Sequence, residues 1–328
     1  MAEATIRDVA RRAQVSVASV SRVLNGFEKV SEATRRRVDE AVRALGYVPH
    51  AAARSLSMAQ TRSIGVVLPD LHGEFFSEIM RGMDRVASER GYLLLLSSLH
   101  SGHRLGHSPL RALRGRVDGA LVMAPHLDDE ELAATLPPGV PVVLLNRRSS
   151  GGGHPGIILD NAAGARAVAK HLLGLGRRRL VHIAGPEGNT DSEERRDAFL
   201  KAIQGHTDVL AECVRGDFSE TSGEAATAAL IEAGRSFDAI FAANDNMAIG
   251  ALQALRARGL RVPDDVAVAG FDDIPMARHL GLTTVCVRIS HLGQEGLSAL
   301  LDMIEGQGRP DDMLHRVELV VRATTQPI

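Results

Sequence analysis

The sequence predicts an α/β chain: an all-α head of three short helices, then a two-lobed body of parallel sheets flanked by helices. Three observations carry this. Helical spacing governs the first 48 residues. From Ser63 onward, continuous apolar runs of strand length alternate with amphipathic stretches, the pattern of parallel sheets covered on both faces. Charge is divided as well: residues 1–60 hold ten basic and six acidic side chains, the remainder 28 and 34. The net charge of −2 therefore hides a basic head on an acidic body.

At 328 residues the chain is long for one core, so two or three domains are expected. With 45% hydrophobic and 24% charged residues it reads as an ordinary soluble protein. No apolar run reaches the ~18 residues of a membrane span, and "MAEATIRDVARR" lacks a signal segment, so a cytoplasmic protein without a membrane partner is expected. Cys213 and Cys286 lie far apart without metal-ligand spacing and are expected to be reduced, partly buried thiols.

Element by element, Thr5 with Asp8 opens the first helix as a capping box. Ile6, Val9, Ala10 and Ala13 then recur at helical spacing. Gln14-Val15 makes a short break. Ser16 caps a second helix that turns Ser19, Val20, Val23 and Leu24 inward and stops at Asn25-Gly26. Ser31 caps a third, with Val38, Ala41, Val42 and Leu45 inward and Gly46 as the stop. Two short helices on a tight turn with a third closing the core describe a helix-turn-helix unit. In such a unit the second helix enters the major groove. Ser16 offers its hydroxyl and helix N-terminal N–H groups to phosphate, Val17 and Ala18 allow close approach to thymine methyls, and Arg22 can fork onto guanine. The same pattern also fits a capped amphipathic helix in an ordinary bundle. The segment after Pro49 has Leu56 as its only large side chain before Ser57. It is a linker or a helix formed on binding, and Leu56 could wedge into the minor groove.

In the body, "SIGVVLPD" is a strand, 74–90 a helix burying Phe76, Ile79, Met83 and Val86, and "YLLLLSS" a strand. A helix is expected over 104–115. "VDGALVMAP", "VPVVLLN" and "GIILD" are strands, followed by a helix to Leu175. "RLVHIAG", "AIFAAND" and "VAVAGFDD" repeat the scheme, so the strands fall into sets before and after about residue 160. No strand leads into a Gly-x-Gly-x-x-Gly or phosphate-loop motif and no nucleophile motif stands out, so no cofactor and no enzyme is expected. His100, His103 and His107 share a Gly/Ser-rich stretch without matching ligands, which reads as a solvated loop and gives no metal site. Residues 147–156, "RRSSGGGHPG", read as a flexible connection. In open α/β sheets ligands sit beyond the carboxyl ends of strands, where Asp70, Asn146, Asp160, Gly185, Asn244, Asp245, Phe271 and Asp272 fall. Asp and Asn there are equally routine helix caps. Phe75 and Phe218 lie near in sequence and could supply apolar faces, whereas Phe76 has the stronger claim to the core.

The runs "TIRDVARRAQVSVASVSRVLN" and "VSEATRRRVDEAVRALGYVPHAAARSL" resemble the head of the LacI/GalR family of bacterial transcription regulators. The body resembles it in Arg195–Phe199, "ANDNMAIGAL", "VAVAGFDD", "LTTV" and "ELVVRATT". The resemblance implies a body like periplasmic binding proteins, with the helix-turn-helix domain at 1–48, a hinge at 49–61 and an effector-binding and dimerisation domain at 62–328. Its lobes would be about 62–159 with 289–316, and 160–288 with 317–328. It implies that Val17, Ala18 and Arg22 read bases, that Thr5, Ser16, Ser21, Asn25 and Ser31 touch the DNA backbone, that Leu56 wedges into a palindromic operator, and that His50 is a further DNA contact. It implies effector contacts from Phe75, Asn146, Arg195, Phe218, Asn244 and Asp272, to which the strand-end reading adds Asp70.

The sequence departs from the family at Gln14, where Gly is frequent, at Asn146, where Asp is common, at Ala198, and in "VCVRIS", which lacks a Gln-Pro. The implied function is a repressor controlled by a sugar-like effector, with a purine or nucleoside as alternative. A pure binding protein fits the lobes alone. With no heptad tail after the last strand, a homodimer and no tetramer is expected.

Overall fold

The computed structural model describes residues 4–25, 30–48, 60–99, 109–136, 138–148 and 153–326. His50 and Leu56 of the expected hinge, and His100, His103 and His107, lie outside these residues. The chain divides into two compact units, residues 1–62 with 115–117 and the remainder.

The head holds α1 (Ile6–Ala13), α2 (Val17–Leu24) and α3 (Glu32–Leu45). The capping box of α1 is formed: the Thr5 amide and hydroxyl donate to Asp8 at 3.0 and 2.6 Å. Ser16 and Ser31 cap α2 and α3 by accepting from the Ser19 and Thr34 amides. Each such cap stabilises its helix by about 1 kcal/mol. Val9, Val20 and Val38, one from each helix, are fully buried, and Tyr47 closes the same core. Gln14 occupies the left-handed region (φ 53°), so the turn keeps its geometry with a side chain where Gly would be unstrained.

The body carries two doubly wound lobes. The first sheet runs β11 (Met313–His315), β5 (Gly156–Leu159), β4 (Val142–Leu145), β3 (Gly119–Val122), β1 (Ser63–Leu68), β2 (Leu93–Ser98), all parallel. The second runs β7 (Leu210–Arg215), β6 (Arg179–Ala184), β8 (Ala239–Ala242), β9 (Ala267–Ala269), also parallel. An antiparallel pair, β10 (Thr284–Cys286) and β12 (Glu318–Val320), attaches beside β9 through the Ala269–Thr283 bridge. The chain crosses between the lobes three times: after β5, after β10 and after β11.

The helices of the body are α4 (Glu74–Arg90), α5 (Pro109–Ala112), α6 (Asp129–Thr135), α7 (Asn161–Gly174), α8 (Thr190–Ile203), α9 (Glu220–Glu232), α10 (Asp245–Ala257), α11 (Pro275–His279) and α12 (Ile289–Ile304). One helix pair in each lobe packs backbone to backbone. A Cβ on Gly82 of α4 would stand 1.8 Å from the Ser290 carbonyl oxygen of α12, and one on Gly293 of α12 2.2 Å from that of Ile79. In the other lobe a Cβ on Gly250 of α10 would stand 1.9 Å from the Glu220 oxygen, and one on Gly223 of α9 2.1 Å from that of Met247. The glycines are reciprocal, so neither helix of a pair can gain a side chain without separating from the other.

Three expectations change, and strand β7 is one that the sequence reading did not include. Among the described residues β2 is not covered on both faces: Leu93 is 70% exposed and Leu95 and Leu96 are exposed too, because β2 is an edge strand with β1 as its one described neighbour. The helix expected over 104–115 is described only as the single turn of α5. Strand β7 has no clear apolar run, since it too is an edge and alternates exposed with half-buried residues. Cys213 on β7 is exposed, whereas Cys286 is half-buried.

Candidate functional site

Two surfaces bring the sequence candidates together. On the head, Val17, Ala18 and Arg22 stand exposed on one side of α2, opposite the buried Val20 and Val23. Arg22 holds no ion pair among the described residues. Thr5, Ser16 and Ser31 are exposed N-caps, so their hydroxyls and the free N–H groups of three helix starts lie at the surface. Ser21 and Asn25 are half-buried and bonded to one another at 3.2 Å.

In the body, a cavity of about 450 Å³ lies at the carboxyl ends of the strands of both lobes. It is lined by all seven expected effector residues: Asp70, Phe75, Asn146, Arg195, Phe218, Asn244 and Asp272. Asp70 follows β1 at the rim, where its carboxylate accepts from the Leu71 and His72 amides. Asn146 follows β4, Phe218 follows β7, and Asn244 follows β8 and caps α10. The Asn244 side-chain amide also donates to the Phe218 carbonyl at 2.9 Å, joining two strand ends. Asn146, Phe218 and Asp272 all hold positive φ, at 56°, 72° and 123°. Such backbone costs about 1–3 kcal/mol per residue and persists where surrounding structure fixes it, typically at ligand sites.

Arg195, from the first turns of α8, is 4% exposed. Its Nε donates to Asn161 Oδ1 at 2.8 Å and its Nη1 to the Ala243 carbonyl at 2.6 Å, and its guanidinium lies 3.8 Å above the Phe271 ring. Asp272 stands 3.6 Å from Nη1. Burial pushes the Asp272 carboxyl up to about 7, with Arg195 opposing the rise and Asp191 adding to it. Asn161 in turn donates to Asp191 at 2.8 Å and to Glu194 at 3.0 Å. A buried guanidinium held on one edge by protein acceptors presents a fixed donor set to a ligand.

Other strand-end candidates serve elsewhere. Asp160 caps α7. Asp245 is fully buried and accepts from Thr284 Oγ1 and the Ile274 amide, its carboxyl raised by burial and by Asp272. Phe271 lies beneath Arg195, and Gly185 leaves room for the Phe218 ring, which a Cβ would meet at 2.4 Å. Phe76 lines the cavity as well as packing on the core, edge-to-face with Phe75 at 5.3 Å. Asp191 and Asn161 were not among the sequence candidates. Asn161 follows a cap residue, and Asp191 sits in the first turn of a helix, where an acidic residue needs no further explanation.

The arrangement has known counterparts. Residues 5–50 match the model of bacterial regulatory proteins of the lacI family, and residues 169–325 that of a periplasmic binding protein-like domain. The ribose operon repressor of Halalkalibacterium halodurans is 37% identical over 98% of this chain and 97% of its own. The Lac repressor dimer bound to operator and an anti-inducer is 31% identical, with a TM-score of 0.87 over 99% of both chains. The transcriptional regulator CelR in complex with cellobiose is 32% identical, with a TM-score of 0.72 over 98% of this chain and 99% of that one.

Proposed function

The chain belongs to the LacI family of bacterial regulatory proteins, and from that premise we propose that it is a cytoplasmic repressor that binds a palindromic operator as a homodimer. Its DNA affinity is set by a neutral, polyhydroxylated effector in the cleft. The observation that carries the effector reading is the convergence of amides, carboxylates and one guanidinium on a single cavity with aromatic walls. Vicinal hydroxyls both donate and accept, and this mixed set answers both needs. Among the lining residues Asp70, Asp191, Asp217, Glu220 and Asp272 oppose the single guanidinium of Arg195, which is already engaged by protein acceptors. That balance disfavours a phosphate or carboxylate on the ligand. The ribose of one relative's name and the cellobiose of another's complex are neutral sugars. Phe75, Phe76 and Phe218 favour a nucleoside as the second reading, since they give a base three aromatic faces.

For the dimer, the exposed leucines of edge strand β2 supply an apolar surface beside unpaired strand edge. On DNA, exposed Arg22 is the base reader and the N-cap hydroxyls hold phosphates. His50 and Leu56 belong to the same proposal.

A thermal-shift panel of D-ribose, cellobiose, adenosine and ribose 5-phosphate tests the effector reading. A rise with a neutral compound and none with the phosphate supports it, and stabilisation by the phosphate refutes it. Selection of binding sites from random duplexes with wild type and Arg22→Ala tests the head. Unchanged selectivity in the variant would remove Arg22 as the reader.

A further inference from the structure

Ligand-driven motion of a two-lobed body must pass through the three crossovers, and one residue touches all of them. His315 closes β11 at the start of the third crossover and its side chain is 3% exposed. Its carbonyl accepts from the Asp160 amide of the first crossover at 3.1 Å. Its ring Nε2 faces the Val287 carbonyl of the second at 2.5 Å. Its ring Nδ1 faces the Glu295 carboxylate at 2.6 Å, on the helix into which the second crossover leads. The charged groups around it are Glu295 and His291 of α12, with His291 Nε2 3.4 Å from the same carboxylate, and the Arg288–Glu318 pair at 3.3 Å, which joins the second and third crossovers.

Both ring nitrogens thus face oxygen acceptors. A neutral imidazole has one N–H and satisfies one of them, leaving a lone pair against an oxygen. Only the doubly protonated ring donates to both. We propose that His315 is a proton-dependent pivot: its carbonyl holds the first crossover whatever the ring's state, its protonated ring ties the second crossover and α12 to the third, and on losing a proton the ring releases either the Val287 carbonyl or the Glu295 carboxylate. The proposal rests on the lobes and crossovers alone and stands whatever the effector.

Nitrogen NMR of the full-length protein with labelled histidine tests it, read from about pH 5.5 to about 8.5. The His315 signal is assigned by its absence in His315→Gln. Two protonated ring nitrogens at the acid end, giving way to one as pH rises, is the expected result. In parallel, amide exchange corrected for intrinsic rates should quicken about tenfold at residues 287–289 and 313–318 across that titration. It should be flat in His315→Gln. In Glu295→Gln, which keeps an acceptor oxygen without the charge, the two-proton form should give way at lower pH. A ring with one protonated nitrogen throughout overturns the proposal on the wild type alone. So does exchange whose pH dependence survives in His315→Gln.

Discussion

His182 sits at the centre of the second sheet, fully buried, between Phe199 and Phe241 at ring distances of 5.4 and 4.8 Å. Its Nδ1 meets the Phe241 carbonyl at 2.9 Å, whereas its Nε2 has no hydrogen-bond partner among the described residues. Burial holds it neutral, with its pKa lowered from 6.5 to about 4. As pH falls, the unfolded chain takes up the proton first, so stability drains away between about pH 6.5 and about 4. Between neutral pH and about pH 4.5 this one residue removes about 2.5 kcal/mol. His182→Phe keeps an aromatic ring in the stack, loses one hydrogen bond and removes the unpaired nitrogen. Its stability at neutral pH should stay within about 1 kcal/mol of wild type. At about pH 4.5 it should be the more stable by about 2.5 kcal/mol, a gain of about 4–5 °C in Tm for a body of this size. Scanning calorimetry of both proteins across that range measures the difference. Parallel pH profiles would refute the reasoning, because they would mean that the residue carries no proton-linked cost of burial.

Three further outcomes are expected. Gly82→Ala should cost about 3 kcal/mol or more, because the new methyl meets the Ser290 carbonyl of a facing helix rather than a movable side chain; denaturant titration measures it. Gln14→Gly should stabilise the head by about 0.5–1 kcal/mol through relief of its left-handed backbone, measurable as slower amide exchange in α1 and α3. Arg195→Ala should cost about 3–5 kcal/mol by stranding Asn161, Asp272 and the Ala243 carbonyl, and should abolish any ligand-induced thermal shift; an unchanged shift would place the ligand elsewhere.

Much of this was legible because the sequence repeats one rule. Apolar runs end in polar residues at most of the strands that reach the cleft, and a doubly wound sheet sends those termini to one edge. Thus Asn146, Asn244 and Asp272, 126 positions apart at their extremes, meet in one cavity. The head was legible through its caps, since Thr5, Ser16 and Ser31 name their helix starts by chemistry alone. Edge strands were not. An edge has one neighbour, so β2 keeps an apolar run without being covered, and β7 needs no such run. The second tier of the cleft was hidden for another reason. Asn161 acts by holding Arg195, and Asp191 by holding Asn161, and only the folded chain brings residues 30 positions apart into contact.

The facing glycines have a mechanical consequence. Where two helices touch through side chains, a push on one is absorbed by small rotamer adjustments along the seam. Between α4 and α12, and between α9 and α10, main chain rests on main chain and that cushion is missing. Each lobe should then behave as a stiff lever. Work done by a ligand at the strand ends would reach the crossovers almost undiminished, and the compliance of the body would be concentrated in three short stretches of chain.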